Sequence, residues 1–273
     1  MKKRNRWFLI LAALAVMLLT VSCFGGIDAG GQNGGYTEND ERVFSEAIEA
    51  LQKFSGAVGA GDPDRQLDAD VNITDRLDAD GKYSTRISSY NIKSIYNQGV
   101  IGGLLINGIF QIQSDIEELN SLSEMTIFVG PDGSNFAIVN GVKTEPHTDF
   151  MFFVACTRIP EKVAEIDSSF VKSVNIEKKE DETEYTMIID GEGLHSSPEL
   201  FNLFVISAFR EESEYFVVDD ATYVFSLDQD GVPKTSYIRV SITAVDQEGD
   251  EAYINADVSI VFNSFENVVI ELS

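Results

Sequence analysis

The 273-residue chain offers few side chains with chemistry of their own: two cysteines, two histidines and several closely spaced carboxylates. Cys23 stands directly after Ser22, at the end of a long apolar run, where a thiol is placed to be acylated rather than to catalyse. Cys156 closes the run Phe152-Phe153-Val154-Ala155-Cys156. Apolar company destabilises a thiolate, so this cysteine reads as a buried, inert one. With Cys23 acylated it has no partner, and no internal disulfide is expected. His147, in Glu145-Pro146-His147-Thr148-Asp149, and His195, before an apolar segment, read as solvated loop histidines rather than catalytic bases.

The carboxylates fall into three groups: Asp75/Asp78/Asp80, Asp228/Asp230 and Asp246/Glu248/Asp250/Glu251. A calcium loop needs oxygen ligands at its first, third and fifth positions and a glutamate at its twelfth. None of the groups has that spacing, and each sits where a tight hairpin needs Asp and Gly, so turn chemistry is the reading for all three. Asn72-Ile73-Thr74 matches a glycosylation sequon, which the bacterial lipobox described next makes irrelevant. The chain has no Gly-x-Ser-x-Gly elbow, no glycine-rich phosphate loop opening a helix and no His-Glu-x-x-His. An enzyme is not expected, and no residues ask for a metal or another cofactor.

Residues 1–22 read as an export signal. Lys2, Lys3, Arg4 and Arg6 precede the apolar stretch Trp7 to Leu19, too short to span a hydrocarbon core of about 30 Å. Leu19-Thr20-Val21-Ser22-Cys23 resembles a bacterial lipobox, which makes Cys23 the lipid anchor and the new N-terminus. Residues 23–36 are rich in glycine and lack hydrophobic periodicity, as a flexible tether should. About 13 such residues have an r.m.s. reach of roughly 20 Å. Folding is expected to start at residue 37 and to give a single domain over 37–273. Processing removes four of 20 basic residues and none of 45 acidic ones, leaving 16 − 45 = −29. That charge excludes nucleic acid as a partner and leaves membrane attachment to the N-terminal acyl chains.

The elements that must position anything further are legible. Thr37 to Phe54 places Val43, Phe44, Ala47, Ile48, Leu51 and Phe54 on one stripe and predicts an amphipathic helix. Residues 67–74 alternate, Asp78-Ala79-Asp80-Gly81 turns, and 82–92 returns as a second strand. Strands at 125–129, 135–139 and 142–144 form a meander around Gly130–Gly133 and Asn140-Gly141. A further hairpin spans Val174 to Ile189. Ser197 with Pro198 predicts a second helix to Phe209, apolar over most of its circumference and therefore buried on more than one side. Thr222–Leu227, 237–244, 252–262 and a last strand, Val268–Leu272, complete the sheet. Gln98–Phe110 mixes large apolar residues with glycines. It reads as an irregular, bulged buried strand, with a mobile hydrophobic lip as the functional alternative. The fold class is α+β: a curved antiparallel sheet, an incomplete barrel, wrapped around two helices.

The order of lipobox, glycine tether, the helix ending Ala47-Ile48-Glu49-Ala50-Leu51-Gln52-Lys53-Phe54, strand meander, second helix and the terminal strands ending Val258-Ser-Ile-Val-Phe-Asn-Ser-Phe-Glu-Asn-Val-Val-Ile270 resembles the half-barrel lipoproteins related to the LolA and LppX carriers. The resemblance implies a hydrophobic cavity between concave sheet and helices. The lining expected for it is Ile238, Val240, Ile242, Ile254, Val258, Ile260 and Phe204. The function expected is a non-catalytic lipoprotein of the bacterial cell envelope, held on the extracytoplasmic side of a membrane and binding a lipid or another hydrophobic ligand. The alternative is a surface structural or protein-interaction lipoprotein whose core is filled by its own side chains.

Overall fold

The computed structural model describes residues 38–59, 64–79, 81–130, 132–144, 150–204 and 213–271. The predicted signal, lipobox and tether lie outside these residues, as do His147 and Asp80. Twelve strands form one antiparallel sheet that curves but does not close into a barrel, with five helices among the described residues; the class is α+β.

In chain order, helix α1 (Glu38–Ala57) leads into β1 (Gln66–Ala79), β2 (Lys82–Asn97), β3 (Val100–Ser114), β4 (Ser121–Val129), β5 (Asn135–Val139) and β6 (Val142–Thr144). Helices α2 (Phe150–Cys156) and α3 (Ile159–Ala164) follow, then β7 (Val171–Lys178), β8 (Glu182–Ile189), α4 (Gly191–Ser196) and α5 (Pro198–Phe204). The chain ends with β9 (Ser213–Val218), β10 (Ala221–Asp228), β11 (Pro233–Asp246) and β12 (Glu251–Ser264). The sheet runs β6-β5-β4-β3-β2-β1-β12-β11-β10-β8-β7, with β9 beside the far end of β11. Hairpins account for most neighbours. The pairing that joins the two halves is β1 with β12, which brings Ile73 opposite Val258 and Val71 opposite Ile260.

Alternation decides which face is buried. Leu67, Ala69, Val71 and Ile73 of β1 are sealed, and the residues between them are exposed or half-buried. Asn140-Gly141 turns with φ of 50° and 80°, the left-handed pair a two-residue hairpin demands and glycine supplies without strain. Helix α1 lies against the concave face through Ala47, Ala50, Leu51 and Phe54, all buried. Its position follows from two contacts. Lys178 at the end of β7 is 3.5 Å from Glu46, and Arg65, just before β1, donates to the Gly59 carbonyl at 3.2 Å. The helix therefore crosses from the edge strand to the middle of the sheet. It follows the rim on which the β2–β3, β7–β8 and β10–β11 turns converge. The registers Gln66 to Ile95, Lys178 to Thr183, Leu227 to Thr183 and Thr235 to Val261 fix those turns at that rim.

Two expectations are corrected. The sheet encloses more than two helices: α2 and α3 come from residues 150–164, where a β-branched and aromatic composition hid short helices. The expected Ser197–Phe209 helix is seen as α5 as far as Phe204, its first turn closed by the Phe201 N–H donating to the Ser197 carbonyl at 2.9 Å, and residues 205–209 lie outside the described part. The expected strand Val268–Leu272 is absent over 268–271. That segment is held instead by the Val268 N–H donating to Gln66 Oε1 at 2.9 Å. Gln98–Phe110 resolves into a two-residue turn and a long strand, with one bulge where Tyr96 pairs Ile101 and Ile95 pairs Gly103.

Candidate functional site

The residues expected to line a cavity do share one face. Ile238 stands opposite Val258, Ile242 opposite Ile254 and Ser236 opposite Ile260 across β11 and β12. Antiparallel neighbours at such positions bring Cβ atoms to about 5 Å, so these side chains form a continuous apolar stripe. Ile238, Val240, Ile242, Ile254, Val258 and Ile260 are between 0 and 6% exposed, and Phe204 on α5 is 5% exposed. All seven belong to one core cluster with Phe54, Phe225 and Tyr223, and none lines either of the two cavities described below.

The larger cavity, about 170 Å³, lies elsewhere on the concave side, between α1, α3 and the β7–β8 hairpin. Ile48 and Leu51 come from α1, Val163 from α3, Val171 from β7, and Met187 and Ile189 from β8; Gln52 and Ser168 add polar atoms. The alternation of Tyr185, Met187 and Ile189 was visible in the sequence. What was not visible is that α3, a single short helix, stands off the sheet and leaves a gap there. Ion pairs hold α3 in place. Arg158 Nε donates to Glu161 Oε2 at 2.8 Å, and Lys162 Nζ reaches Glu165 at 3.0 Å and Glu199 of α5 at 2.8 Å. The Arg158 hydrogen bond holds the Glu161 carboxyl below the ordinary glutamate value. A smaller cavity, about 150 Å³, opens at the end of α1 beside Gly56 and Phe265. Arg65 stacks there on Tyr96 at 4.4 Å.

The reactive side chains are arranged for packing. The Cys156 thiol is fully buried, and desolvation pushes its pKa up to about 12. The neighbouring Tyr90 phenol is raised well above its ordinary value, also by burial, and donates to the Phe153 carbonyl at 3.2 Å. His195 is exposed and stacks on Phe201 at 4.8 Å. Each acidic group serves a local partner. Asp228 Oδ1 accepts the N–H groups of Asp230 and Val232, and Asp246 Oδ1 those of Glu248 and Asp250 at 2.8 and 2.9 Å. Asp75 pairs with Arg86 on the concave side, and Asp78 with Arg76 at 2.8 Å. Carboxylate oxygens of Asp246, Glu248 and Asp250 also lie within 4.8 Å of one another.

No family model matches this sequence, and no curated protein matches it. Among solved structures, a DUF1329 family protein from Desulfovibrio piger is similar over 83% of this chain and 94% of its own, at 9% identity and a TM-score of 0.25. So low a score leaves the function to be argued from this chain alone.

Proposed function

We propose that this protein is a non-catalytic lipoprotein of the bacterial envelope, anchored through Cys23 on the extracytoplasmic side of a membrane, that holds a slim hydrophobic group between its curved sheet and its helices. The observation that carries the reading is the cavity of about 170 Å³ between α1, α3 and the β7–β8 hairpin, lined mostly by apolar side chains with Gln52 and Ser168 among them. Its size sets the ligand. Pockets for whole drug-sized molecules run to about 300–1,000 Å³, whereas an apolar cavity of about 150 Å³ accepts benzene. The space here suits an acyl-chain end or a single ring. The acidity agrees with a binding role that does not involve nucleic acid.

A second reading is favoured by a different observation: the stripe on β11 and β12 is already covered by the protein's own side chains. On that reading the domain is a self-filled interaction module. Native mass spectrometry and lipid extraction of the purified protein separate the two. A co-purifying apolar ligand, lost when Ala164→Leu fills the cavity, supports the first; a ligand-free protein whose melting temperature benzene does not raise leaves the second.

A further inference from the structure

The rim followed by α1 carries an arrangement that the ligand reading does not use. Three of its projecting segments end in exposed valines: Val100 at the β2–β3 turn, 69% exposed, Val232 at the β10–β11 turn, 44%, and Val269 after β12, 59%. They belong together. Val100 and Val232 adjoin turns fixed at this rim by the strand registers, and Ile270, next to Val269, abuts Gly103 of β3. An isolated exposed valine is ordinary; here three stand on successive tips at one end of the sheet.

The tether starts at the same rim. Helix α1 runs along it and begins at Glu38, eight residues, or roughly 12 Å of helix, before the Glu46–Lys178 contact with the edge strand. The interval from Cys23 to Glu38 is 38 − 23 = 15 residues, with an r.m.s. reach of about 20 Å if as pliant as its composition implies. An anchor at Cys23 would put this rim within tether reach of the bilayer, nearer than the opposite rim with the Asp246–Asp250 turn. Glu180, Asp181, Asp228 and Asp230 lie on the near rim as well, so anionic headgroups are repelled from it.

We propose that the rim bearing Val100, Val232 and Val269 rests on the headgroup region of a zwitterionic bilayer when the protein is anchored. The inference depends on the tether reading above for the anchor's position, but not on any ligand in the cavity. The test supplies the anchor chemically. The processed chain from Cys23 is joined at that thiol to a maleimide lipid, the fully buried Cys156 being shielded, and bound to phosphatidylcholine vesicles containing brominated acyl chains. Trp7 is the sole tryptophan and lies in the signal, so Val100→Trp gives a single reporter on the near rim and Tyr215→Trp one on the opposite rim. Both parent positions are exposed, and a circular-dichroism melt matching the parent shows that each variant is folded. The expected result is a blue-shifted tryptophan at position 100, quenched at least twofold more than the one at 215, with less quenching when phosphatidylglycerol replaces a third of the lipid at low salt. Equal quenching at the two positions, no quenching at either, or stronger quenching with phosphatidylglycerol overturns the proposal. Absence of acylation on the native protein's Cys23, read by mass spectrometry, would instead remove the tether reading.

Discussion

Phe54 of α1 meets Phe225 of β10 edge to face, with ring centroids 5.2 Å apart and both side chains fully buried. Phe262 of β12 closes on the other side of Phe54 at 5.6 Å. One helical side chain thus joins strands from both sides of β11. Phe54→Ala removes this contact and leaves a void that a sheet-backed site cannot collapse. The expected cost is about 3–5 kcal/mol, read as a lowered urea midpoint with an unchanged slope.

The pair Arg158–Glu161, with Lys162 beside it, predicts an acid dependence. Hydrogen bonding to Arg158 lowers the folded-state pKa of Glu161. A depressed carboxyl contributes stability that is present above its unfolded value, about 4.3, and is lost as pH falls through the folded value. Wild type should lose stability progressively below about pH 4.5, and Glu161→Gln should lose less over that window while starting lower at pH 7. Melting temperatures between pH 3 and 7 measure both; parallel curves for the two proteins contradict the assignment.

Burial of Cys156 predicts kinetic silence. With a thiol pKa pushed up to about 12 and no exposed surface, it should not react with a thiol reagent at pH 8 until the protein unfolds. In a Cys23→Ser chain, reaction in denaturant but not in buffer is the expected result. Rapid labelling of the native protein would mean that α2 opens readily from Tyr90.

Most strands were legible because alternation, glycine turns and Asx turns are local signals: Leu67–Ile73, Asn140-Gly141 and Asp228–Gly231 announce themselves. The stripe on α1 was legible for the same reason. Three things were not local. The β1–β12 pairing joins residues nearly two hundred positions apart and leaves no local mark. Helices α2 and α3 are too short for periodicity to show, and tertiary contacts such as Lys162–Glu199 hold them. The cavity sits beside α3, β7 and β8, whereas the apolar stripe of Ile238, Val258 and their neighbours, chosen from alternation, consists of side chains at most 6% exposed. Alternation identifies a buried face. It does not reveal whether the space above it is occupied.

Asp246 offers a test of the turn chemistry. Its carboxylate accepts two backbone N–H groups and is 4% exposed, so Asp246→Ala should cost about 1.5–3 kcal/mol, whereas Asp246→Asn keeps an acceptor oxygen and should cost less. Calcium at 1 mM should leave the wild-type melting temperature almost unchanged. A marked rise with calcium, abolished in Asp246→Asn, would transfer the role of this turn from hydrogen bonding to cation binding.

The interior itself can be probed by adding volume in two places. Val258 is 3% exposed and faces Ile238, which is fully buried, with neither described cavity beside them. Val258→Phe must push aside a packed sheet face, and overpacking of that kind costs about 1–3 kcal/mol. Ala164 borders the cavity of about 170 Å³, so Ala164→Leu places its extra atoms in existing space. Its expected effect on stability is neutral to favourable, since filling a void restores dispersion contacts that its walls lack. Thermal melts should therefore fall for Val258→Phe and hold or rise for Ala164→Leu. If Val258→Phe were tolerated and Ala164→Leu destabilising, the open space would lie above β11 and β12 and not beneath α3, and the ligand would belong on the stripe that Ile238 and Val258 share.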